Sequence, residues 1–202
     1  MKSIKYFIQF VIISFLFLIF KFLGLSFSSY LSGKIISFIG PLFRSKNLIK
    51  SNILKAFPNL PQHKVNKITK KMWNNYGRIL AEYIFIKSFR ESEFENNIEI
   101  EGQHILDKIK KDNESVIFIS GHFNNFELMA MQIEKSGINL AAVYRPLNNK
   151  FLNSTMERIR KKYICKNQIK KGISGTRLLL SFFKKKTSIA LMIDQRVSQG
   201  IK

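Results

Sequence analysis

The sequence predicts an α/β protein in which N-terminal membrane-anchoring and amphipathic helices are followed by a mostly parallel sheet with flanking helices. An apolar run over residues 6–25 and basic amphipathic patterns behind it predict the helices. Further along, short apolar runs alternate with helical patterns, which is typical of a parallel sheet covered by helices. We therefore expect a membrane anchor over residues 1–25, a helical membrane-proximal region over 26–90 and an α/β domain over 91–202.

The apolar run contains Gln9 and Ser14 as its only polar residues before Lys21. A helix needs about 20 apolar residues to cross a bilayer, so the run is just long enough if the Lys21 side chain reaches the interface. No small-residue cleavage site follows it, which favours an anchor over a cleaved signal peptide. The larger number of basic residues behind the run favours a cytoplasmic body, and a helix that lies in the interface without crossing fits the same charges.

Two more helical patterns occupy residues 27–57 and are separated by Gly40-Pro41. The second, over residues 44–57, sets lysines opposite apolar residues, and such a basic amphipathic surface suits an anionic bilayer. Pro61 is expected to open a longer helix that continues to about Phe89. One side of that helix carries large apolar residues that we interpret as core, namely Met72, Trp73, Tyr76, Ile79, Leu80 and Tyr83.

The remaining elements alternate along the chain. An exposed strand is expected over residues 98–100 and a short helix over 103–111. The further strands are expected at 116–120, at 140–144, weakly near Ile164 and at 188–193, and the further helices at 126–136, 151–162 and 175–184. Parallel sheets bind ligands at the carboxyl ends of their strands. His122, Arg145 and Asp194 each follow a strand directly, so we expect them to face one crevice.

Residues 116–127 read Val-Ile-Phe-Ile-Ser-Gly-His-Phe-Asn-Asn-Phe-Glu, which predicts a buried strand, a tight turn and an Asn pair that caps the next helix. His122 lies in the turn and Glu127 in the first turn of the helix, where their side chains can meet. A neutral imidazole can take a proton from a hydroxyl near neutral pH, and a carboxylate on its other nitrogen fixes the tautomer. The pattern predicts His122 as a general base oriented by Glu127. A structural histidine beside a helix-start glutamate is the simpler alternative.

The composition is strongly basic. The chain has 34 lysines and arginines against 13 acidic residues, a formal net charge of +21. This charge indicates an anionic partner such as phospholipid, a phosphorylated substrate, an acidic carrier protein or nucleic acid, whereas mostly solvated surface lysines are the alternative. The single cysteine, Cys165, excludes an internal disulfide and is interpreted as a buried, small apolar residue. With three histidines and no metal-binding spacing, no metal site is expected.

Three further positions are candidates for substrate binding. Arg145 follows an apolar strand and precedes Pro146, where its guanidinium can bind a phosphate in bidentate fashion, although an exposed loop arginine is equally compatible. Arg177 lies in a helix opened by Lys171-Gly172, whose start can hold a second phosphate. Asp194 is a candidate for orienting a cation or a substrate hydroxyl, or it is simply a turn residue.

The segment Gly-His-Phe-Asn-Asn-Phe-Glu at residues 121–127 resembles the His-x4-acid motif of the lipid A biosynthesis acyltransferases of the lauroyl/myristoyl type. In that family the motif commonly reads Gly-His-Phe-Gly-Asn-Trp-Glu. His122, Asn125 and Glu127 match, whereas Asn124 replaces the usual Gly and Phe126 the usual Trp. The resemblance extends in order over residues 97–102, residues 143–148, Lys171-Gly172 with Arg177, and residues 193–195.

The resemblance implies a membrane-associated acyltransferase at the cytoplasmic side of a bacterial inner membrane. It would move a fatty acyl chain from acyl carrier protein to a hydroxyl of a phosphorylated lipid A precursor, by direct transfer without a metal or another cofactor. His122 and Glu127 would be catalytic. The residues that would bind substrate are Asn125, Arg145, Arg177 and Asp194.

Other functions stay open at this point. Glycerophospholipid acyltransferases share a similar His-x4-Asp arrangement, and a basic membrane or nucleic-acid-binding protein would need no catalysis at all. Nucleic acid is the weaker partner because the sequence has no recognisable binding motif and no clustered stacking aromatics. Relatives of this type usually continue beyond residue 202. The α/β domain is therefore expected to be incomplete at its C-terminus, with the strand at 188–193 left as an uncovered edge.

Overall fold

The computed structural model describes residues 2–194, which fold as two compact units. One unit comprises Ile13–Phe85 and is helical. The other comprises, within the described residues, 2–12 together with 86–194, and it contains the sheet. Helix α1, Lys2–Leu23, supplies residues to both units. The predicted α/β class with N-terminal helices is confirmed.

Helix α1 contains an 18-residue window with a mean hydropathy of 2.3, so its length and composition allow it to cross a membrane. No other helix in the described part of the chain meets that condition. The apolar N-terminal helix is thus confirmed, and it begins at Lys2, before the apolar run that opens at Tyr6. Lysine is a good helix former, so the basic start of the chain continues the helix instead of preceding it.

The helical unit continues with α2 (Leu25–Ile39), α3 (Lys46–Ala56) and α4 (Gln62–Glu82). A 3₁₀ turn at Gly40–Leu42 separates α2 from α3 and confirms the predicted break, because Pro41 cannot continue an α-helical hydrogen-bond ladder. The hydroxyl of Ser45 accepts a hydrogen bond from the Leu48 amide at 3.4 Å and caps α3.

The long helix expected from Pro61 to Phe89 is divided in the structure. Helix α4 ends at Glu82, a 3₁₀ turn occupies Tyr83–Phe85, and α5 follows at Ile86–Arg90. The Tyr83 amide donates to the carbonyls of both Ile79 and Ala81, which tightens the last turn. The predicted core stripe of α4 also needs correction, because its aromatic and aliphatic residues are half-buried and Tyr76 is exposed.

Helices α2 and α4 approach closely through small residues. A Cβ added at Gly77 on α4 would overlap the Ser32 carbonyl and lie 2.8 Å from the Cα of Gly33 on α2. Beside this contact, buried Ser29 donates a hydrogen bond to Glu82 Oε1 at 2.9 Å. The two backbones can meet at this distance only because neither position carries a larger side chain.

The second unit contains α5 and the elements of the sheet and its helices: α6 (Gln103–Asp112), β1 (Ile117–Ser120), α7 (Glu127–Lys135), β2 (Leu140–Tyr144), α8 (Lys150–Ile159), β3 (Asn167–Lys170), α9 (Ile173–Lys184) and β4 (Ser188–Met192). A 3₁₀ turn at Glu95–Asn97 precedes α6, and a π-helix at Arg160–Ile164 extends α8. The strand expected at 98–100 does not form, since alternation alone is insufficient without a neighbouring strand to bond with. The strand expected near Ile164 lies instead at β3, because the π-helix occupies that position.

Within residues 2–194 the sheet has four strands, all parallel, in the order β1-β4-β2-β3. Strand β4 is an interior strand, so the expectation that residues 188–193 form an uncovered edge is wrong. Of the strands described, β1 and β3 lie at the edges, and Ile117 and Ile119 of β1 are exposed. Helix α9 packs against β2, β3 and β4, and α7 packs against β2. The core of this unit includes Met131, Ile133, Leu140, Ala141, Ile169 and Ile189.

The start of α8 is attached to the first part of α1. The side-chain amide of Asn149 donates to the Tyr6 carbonyl at 2.8 Å and to Gln9 Oε1 at 3.3 Å. Asn149 Oδ1 also caps α8 by accepting from the amides of Phe151 and Leu152. The ring of Phe151 packs edge-on against Phe7 with centroids 5.6 Å apart. Gln9, a polar residue within the apolar run of α1, thus has a specific hydrogen-bond partner in Asn149.

Gly77→Ala is expected to destabilise the protein by about 1–3 kcal/mol through overpacking, although alanine is the better helix former. The added methyl group would force α2 and α4 apart, because it meets backbone atoms that cannot move independently. Gly33→Ala is the matched control. Its Cβ would meet the Asn74 and Arg78 side chains, which can rotate away, so a smaller loss is expected. Thermal unfolding in detergent measures both, and equal melting temperatures would contradict close packing at Gly77.

Candidate active site

Four polar side chains follow the four strands at their carboxyl ends. Arg145 and Lys171 come directly after β2 and β3, while His122 and Asp194 each come two residues after β1 and β4. Because the strands are parallel, these positions share one edge of the sheet. His122, Arg145 and Lys171 line a cavity of about 420 Å³ at that edge, and Asp194 contacts His122.

The closest contact at this edge joins His122 and Asp194. Ser120 at the end of β1 is in register with Met192 at the end of β4, so the residues two positions beyond each strand lie side by side. His122 Nδ1 lies 2.7 Å from Asp194 Oδ1, and the His122 amide donates to Asp194 Oδ2 at 2.8 Å. The carboxylate therefore holds both the backbone and the ring of the histidine.

These contacts determine what the histidine can do. The hydrogen bonds from the His122 amide and then from its ring lower the pKa of Asp194 below its usual range, so its carboxyl group is ionised near neutral pH. A neutral His122 with an ionised carboxylate at Nδ1 carries its proton on Nδ1 and leaves the Nε2 lone pair available. The Phe126 ring packs edge-on against the imidazole, with centroids 4.7 Å apart, and limits its rotation.

Glu127 has a different partner from the one expected. Arg160 Nε donates to Glu127 Oε1 at 2.8 Å and Arg160 Nη2 contacts the same oxygen, in an ion pair whose side chains are only 12% and 9% exposed. The expected contact between Glu127 and His122 is thus replaced by one between Glu127 and Arg160 and one between His122 and Asp194. Glu127 is the first residue of α7 and points into the unit, where a buried carboxylate requires a cation, and Asp194 occupies Nδ1 of His122.

The turn between β1 and α7 explains the two departures from the family motif. Asn124 has a φ of +43°, the left-handed region where glycine is favoured and asparagine is the best tolerated alternative. Phe126, in the place of Trp, supplies the ring against His122. The Asn pair does not cap α7, since the N-cap residue is Phe126 and makes no side-chain cap bond. Asn125 is half-buried in this turn and does not line the cavity.

A second polar cluster lies around the end of β2. The hydroxyl of Tyr144 donates to Glu157 Oε1, which also accepts from Asn153 at 2.8 Å and pairs with Lys170 at 3.3 Å. Burial, and then the bond to Glu157, raises the pKa of Tyr144, whereas the bond from Tyr144 lowers that of Glu157. The guanidinium of Arg160 lies over the Tyr144 ring at 5.6 Å. Tyr144 therefore connects this cluster with the Glu127–Arg160 ion pair.

The cavity is positively charged and partly apolar. Arg145, Arg160 and Lys171 line it together with the single carboxylate of Glu127, and Met129, Leu191 and Met192 supply apolar wall. Arg177 is exposed on α9 and does not line it. An anionic group beside a flexible apolar chain matches this lining chemically. The described residues contain no group of three or more side chains suited to hold a metal ion.

Cys165 lies outside this chemistry. Its thiol is buried, and burial raises its pKa to about 11. A thiol of this kind is a poor nucleophile near neutral pH, because the thiolate is the reactive form. The interpretation of Cys165 as a buried, small apolar residue is confirmed.

Sequence reasoning missed Arg160. It lies in the π-helix, 33 residues from the glutamate that it pairs with, and in a chain of 34 basic residues no local signal distinguishes it. The irregular turn itself is a signal, since π-turns recur at functional sites, but it is visible only in the structure. The sequence made Asp194 a candidate for binding substrate, whereas in the structure its carboxylate contacts the ring and the amide of His122.

Comparison with known protein families identifies a family for this chain. The sequence profile of the bacterial lipid A biosynthesis acyltransferases matches residues 1–201, which is nearly the whole chain. No curated protein matches the chain. The profile match agrees with the family that the motif at residues 121–127 predicts.

The conformation of Asn124 can be tested by substitution. Asn124→Gly is expected to keep or slightly raise stability, because glycine adopts positive φ without strain. Asn124→Val is expected to lose about 1–2 kcal/mol, since a β-branched residue clashes with its own backbone there. Chemical unfolding of both variants measures the difference. If valine were tolerated as well as glycine, the turn would not have the left-handed conformation.

Proposed function

The chain belongs to the bacterial lipid A biosynthesis acyltransferase family, and we propose that it moves a fatty acyl chain from the thioester of acyl carrier protein to a hydroxyl of a phosphorylated lipid A precursor. The observation that carries this proposal is the His122–Asp194 pair beside a basic cavity. A histidine held in one tautomer by a carboxylate is suited to take a proton from a hydroxyl. The cations beside it suit a phosphorylated substrate.

In the proposed reaction His122 is the general base. Its Nε2 takes the proton of the substrate hydroxyl while that oxygen attacks the thioester carbonyl carbon. The tetrahedral intermediate then breaks its carbon–sulfur bond, and the thiolate of the carrier leaves with the proton that His122 had taken. Asp194 remains ionised and stabilises the imidazolium between these two steps, as a carboxylate does in a hydrolase triad. The reaction balances without a metal or another cofactor.

Glu127 retains a proposed role in the site, through Arg160 rather than through the histidine. The two hydrogen bonds to one carboxylate oxygen fix the guanidinium at the cavity wall. A fixed positive charge in a partly desolvated cavity stabilises the negative charge that develops on the thioester oxygen. Glu127 would thus position the group that supports the transition state.

We assign phosphate binding to the cations at the strand ends. Arg145 and Lys171 line the cavity and carry the positive charge that a lipid phosphate requires. Arg177, exposed on α9, is proposed as a contact for a phosphate outside the cavity. Asn125 is proposed as a substrate contact by the family motif alone. The net charge of +21 also suits an acidic carrier protein and an anionic bilayer.

The proposed location is the cytoplasmic side of the inner membrane, where acyl carrier protein is available. The hydrogen bonds from Asn149 to Tyr6 and Gln9 limit how many residues of α1 can lie in the bilayer. After those residues only about a dozen positions of α1 are left, whereas a crossing helix needs about 20 apolar residues. We therefore propose that α1 lies in the interface and exposes its apolar side chains to lipid.

Labelling of single cysteines tests the position of α1. Lys5→Cys and Lys21→Cys replace exposed basic residues near its two ends, which an interfacial helix would keep at the water side of the bilayer. A membrane-impermeant maleimide is expected to reach both from the same side of sealed vesicles. Labelling from opposite sides would mean that the helix crosses. Cys165 gives little background because it is buried with a raised pKa, and the parent protein measures that background.

The mass of lipid A from cells with and without the gene tests the function. Loss of the gene is expected to lower the mass by one fatty acyl group, and the parent gene to restore it. His122→Ala is expected not to restore it, because loss of a general base slows transfer by about 10²–10⁴-fold. His104→Ala, a matched change at an exposed histidine of α6, is expected to restore it fully.

Purified variants separate chemistry from folding. His122→Ala is expected to melt close to the parent protein while losing transfer, and Asp194→Asn to lose up to about 10⁴-fold in rate through the wrong tautomer. Transfer by His122→Ala at the parental rate would refute the mechanism. An unchanged lipid A mass after loss of the gene would refute the function.

A further inference from the structure

The helical unit contains a cavity of its own, which shares no residue with the candidate active site. It has a volume of about 490 Å³ and lies among the 3₁₀ turn after α2, helix α3 and helix α4. Pro41, Val65 and Trp73 supply apolar wall. Nothing in the proposed acyl transfer uses these residues.

Three lysines line this cavity, namely Lys46, Lys50 and Lys70, and no carboxylate does. Glu82 is the single acidic residue between Ile13 and Phe85, and it accepts a hydrogen bond from Ser29. Among the residues that the structure describes, none of the three lysines forms an ion pair. Three like charges on one cavity repel one another, and an anion between them would relieve that repulsion.

Trp73, one of the residues that line this cavity, carries an unused hydrogen-bond donor. Its indole Nε1 is buried and has no hydrogen-bond partner among the described residues. The ring is held against Gly40, where an added Cβ would overlap it, so the indole cannot easily turn its N–H to solvent. A buried donor without an acceptor is unfavourable, and indole N–H groups usually find a partner. An oxygen of a bound ligand would supply the acceptor.

The surroundings indicate an amphiphilic ligand rather than a free anion. Phe38 and Leu42 each follow a residue of the cavity wall in sequence, Phe43 comes directly after Leu42, and all three are exposed to between 76% and 85%. Large apolar side chains this exposed are suited to acyl chains rather than to water. An anionic head group in the cavity would leave its acyl chains beside these residues.

We propose that this cavity is a binding site for an anionic glycerophospholipid. The lipid phosphate is bound by Lys46, Lys50 and Lys70, and a head-group oxygen accepts the hydrogen bond of Trp73 Nε1. The site fixes one bilayer lipid on the helical unit, separately from the lipid that is acylated. It does not depend on the reaction assigned to His122.

Trp73 is the only tryptophan of the chain, so its fluorescence reports on the site directly. The full chain in detergent is titrated with short-chain phosphatidylglycerol, short-chain phosphatidylcholine and inorganic phosphate, and the emission of Trp73 is followed. Phosphatidylglycerol is expected to change the emission with saturation, and the other two are expected to require at least about tenfold higher concentration. Equal response to phosphate would overturn the assignment to a lipid, and equal response to phosphatidylcholine would overturn the role of the lysines.

A matched pair of triple variants separates the site from the general charge of the protein. Lys46→Gln, Lys50→Gln and Lys70→Gln together are expected to weaken phosphatidylglycerol binding by about tenfold or more. Lys64→Gln, Lys67→Gln and Lys71→Gln remove the same charge from exposed positions of α4 outside the cavity and are expected to leave binding unchanged. Equal weakening by both would mean non-specific attraction and would overturn the proposal.

A third variant tests the indole donor without altering charge. Trp73→Phe keeps an aromatic ring and removes the N–H group, and its binding is followed by phosphorus NMR of the titrated lipid. Weaker binding than in the parent protein supports the contact with Nε1. Unchanged binding would overturn that contact. Melting temperatures of all variants verify that the fold is retained.

Discussion

The parallel pairing of β1 with β4 is the constraint on which the candidate active site depends. Its register sets Ser120 beside Met192, and two residues later on each strand His122 lies beside Asp194. These residues are 72 positions apart in the sequence, so only the crossover that returns the chain to the middle of the sheet brings them together. The contact between His122 and Asp194 is therefore as fixed as the sheet itself, because strand register resists small displacements.

The two carboxylates of this site differ because their surroundings differ. Asp194 is partly exposed, and hydrogen bonds from His122 are enough to keep it ionised. Glu127 is buried, and a buried carboxylate requires a cation in direct contact, which Arg160 supplies. The same pair joins α7 to the π-helix, and Arg160 also packs over Tyr144 at the end of β2. Removing either partner would therefore disturb the cavity wall as well as its charge.

Features set by local chemistry could be predicted from the sequence, and features set by strand order could not. Strand β2 has the expected bounds, the break at Gly40-Pro41 is present, and Gly137 with a φ of +88° follows the end of α7. The sequence also placed His122, Arg145 and Asp194 at strand ends. It could not show that β4 lies next to β1, so the nearer Glu127 was expected to orient the histidine.

The two units use their basic residues in different ways. Twelve of the thirteen acidic residues lie outside the helical unit, where several form ion pairs, such as Arg90 with Glu134 at 2.5 Å. The helical unit has eleven lysines and arginines against Glu82 alone. Its charge cannot be neutralised internally, and self-repulsion of this kind opposes a compact state. Contact with an anionic lipid surface would reduce that repulsion and so stabilise the helical unit. A lipid surface that binds only the folded form would raise the free energy of unfolding of this unit, so its membrane binding and its stability would be thermodynamically linked.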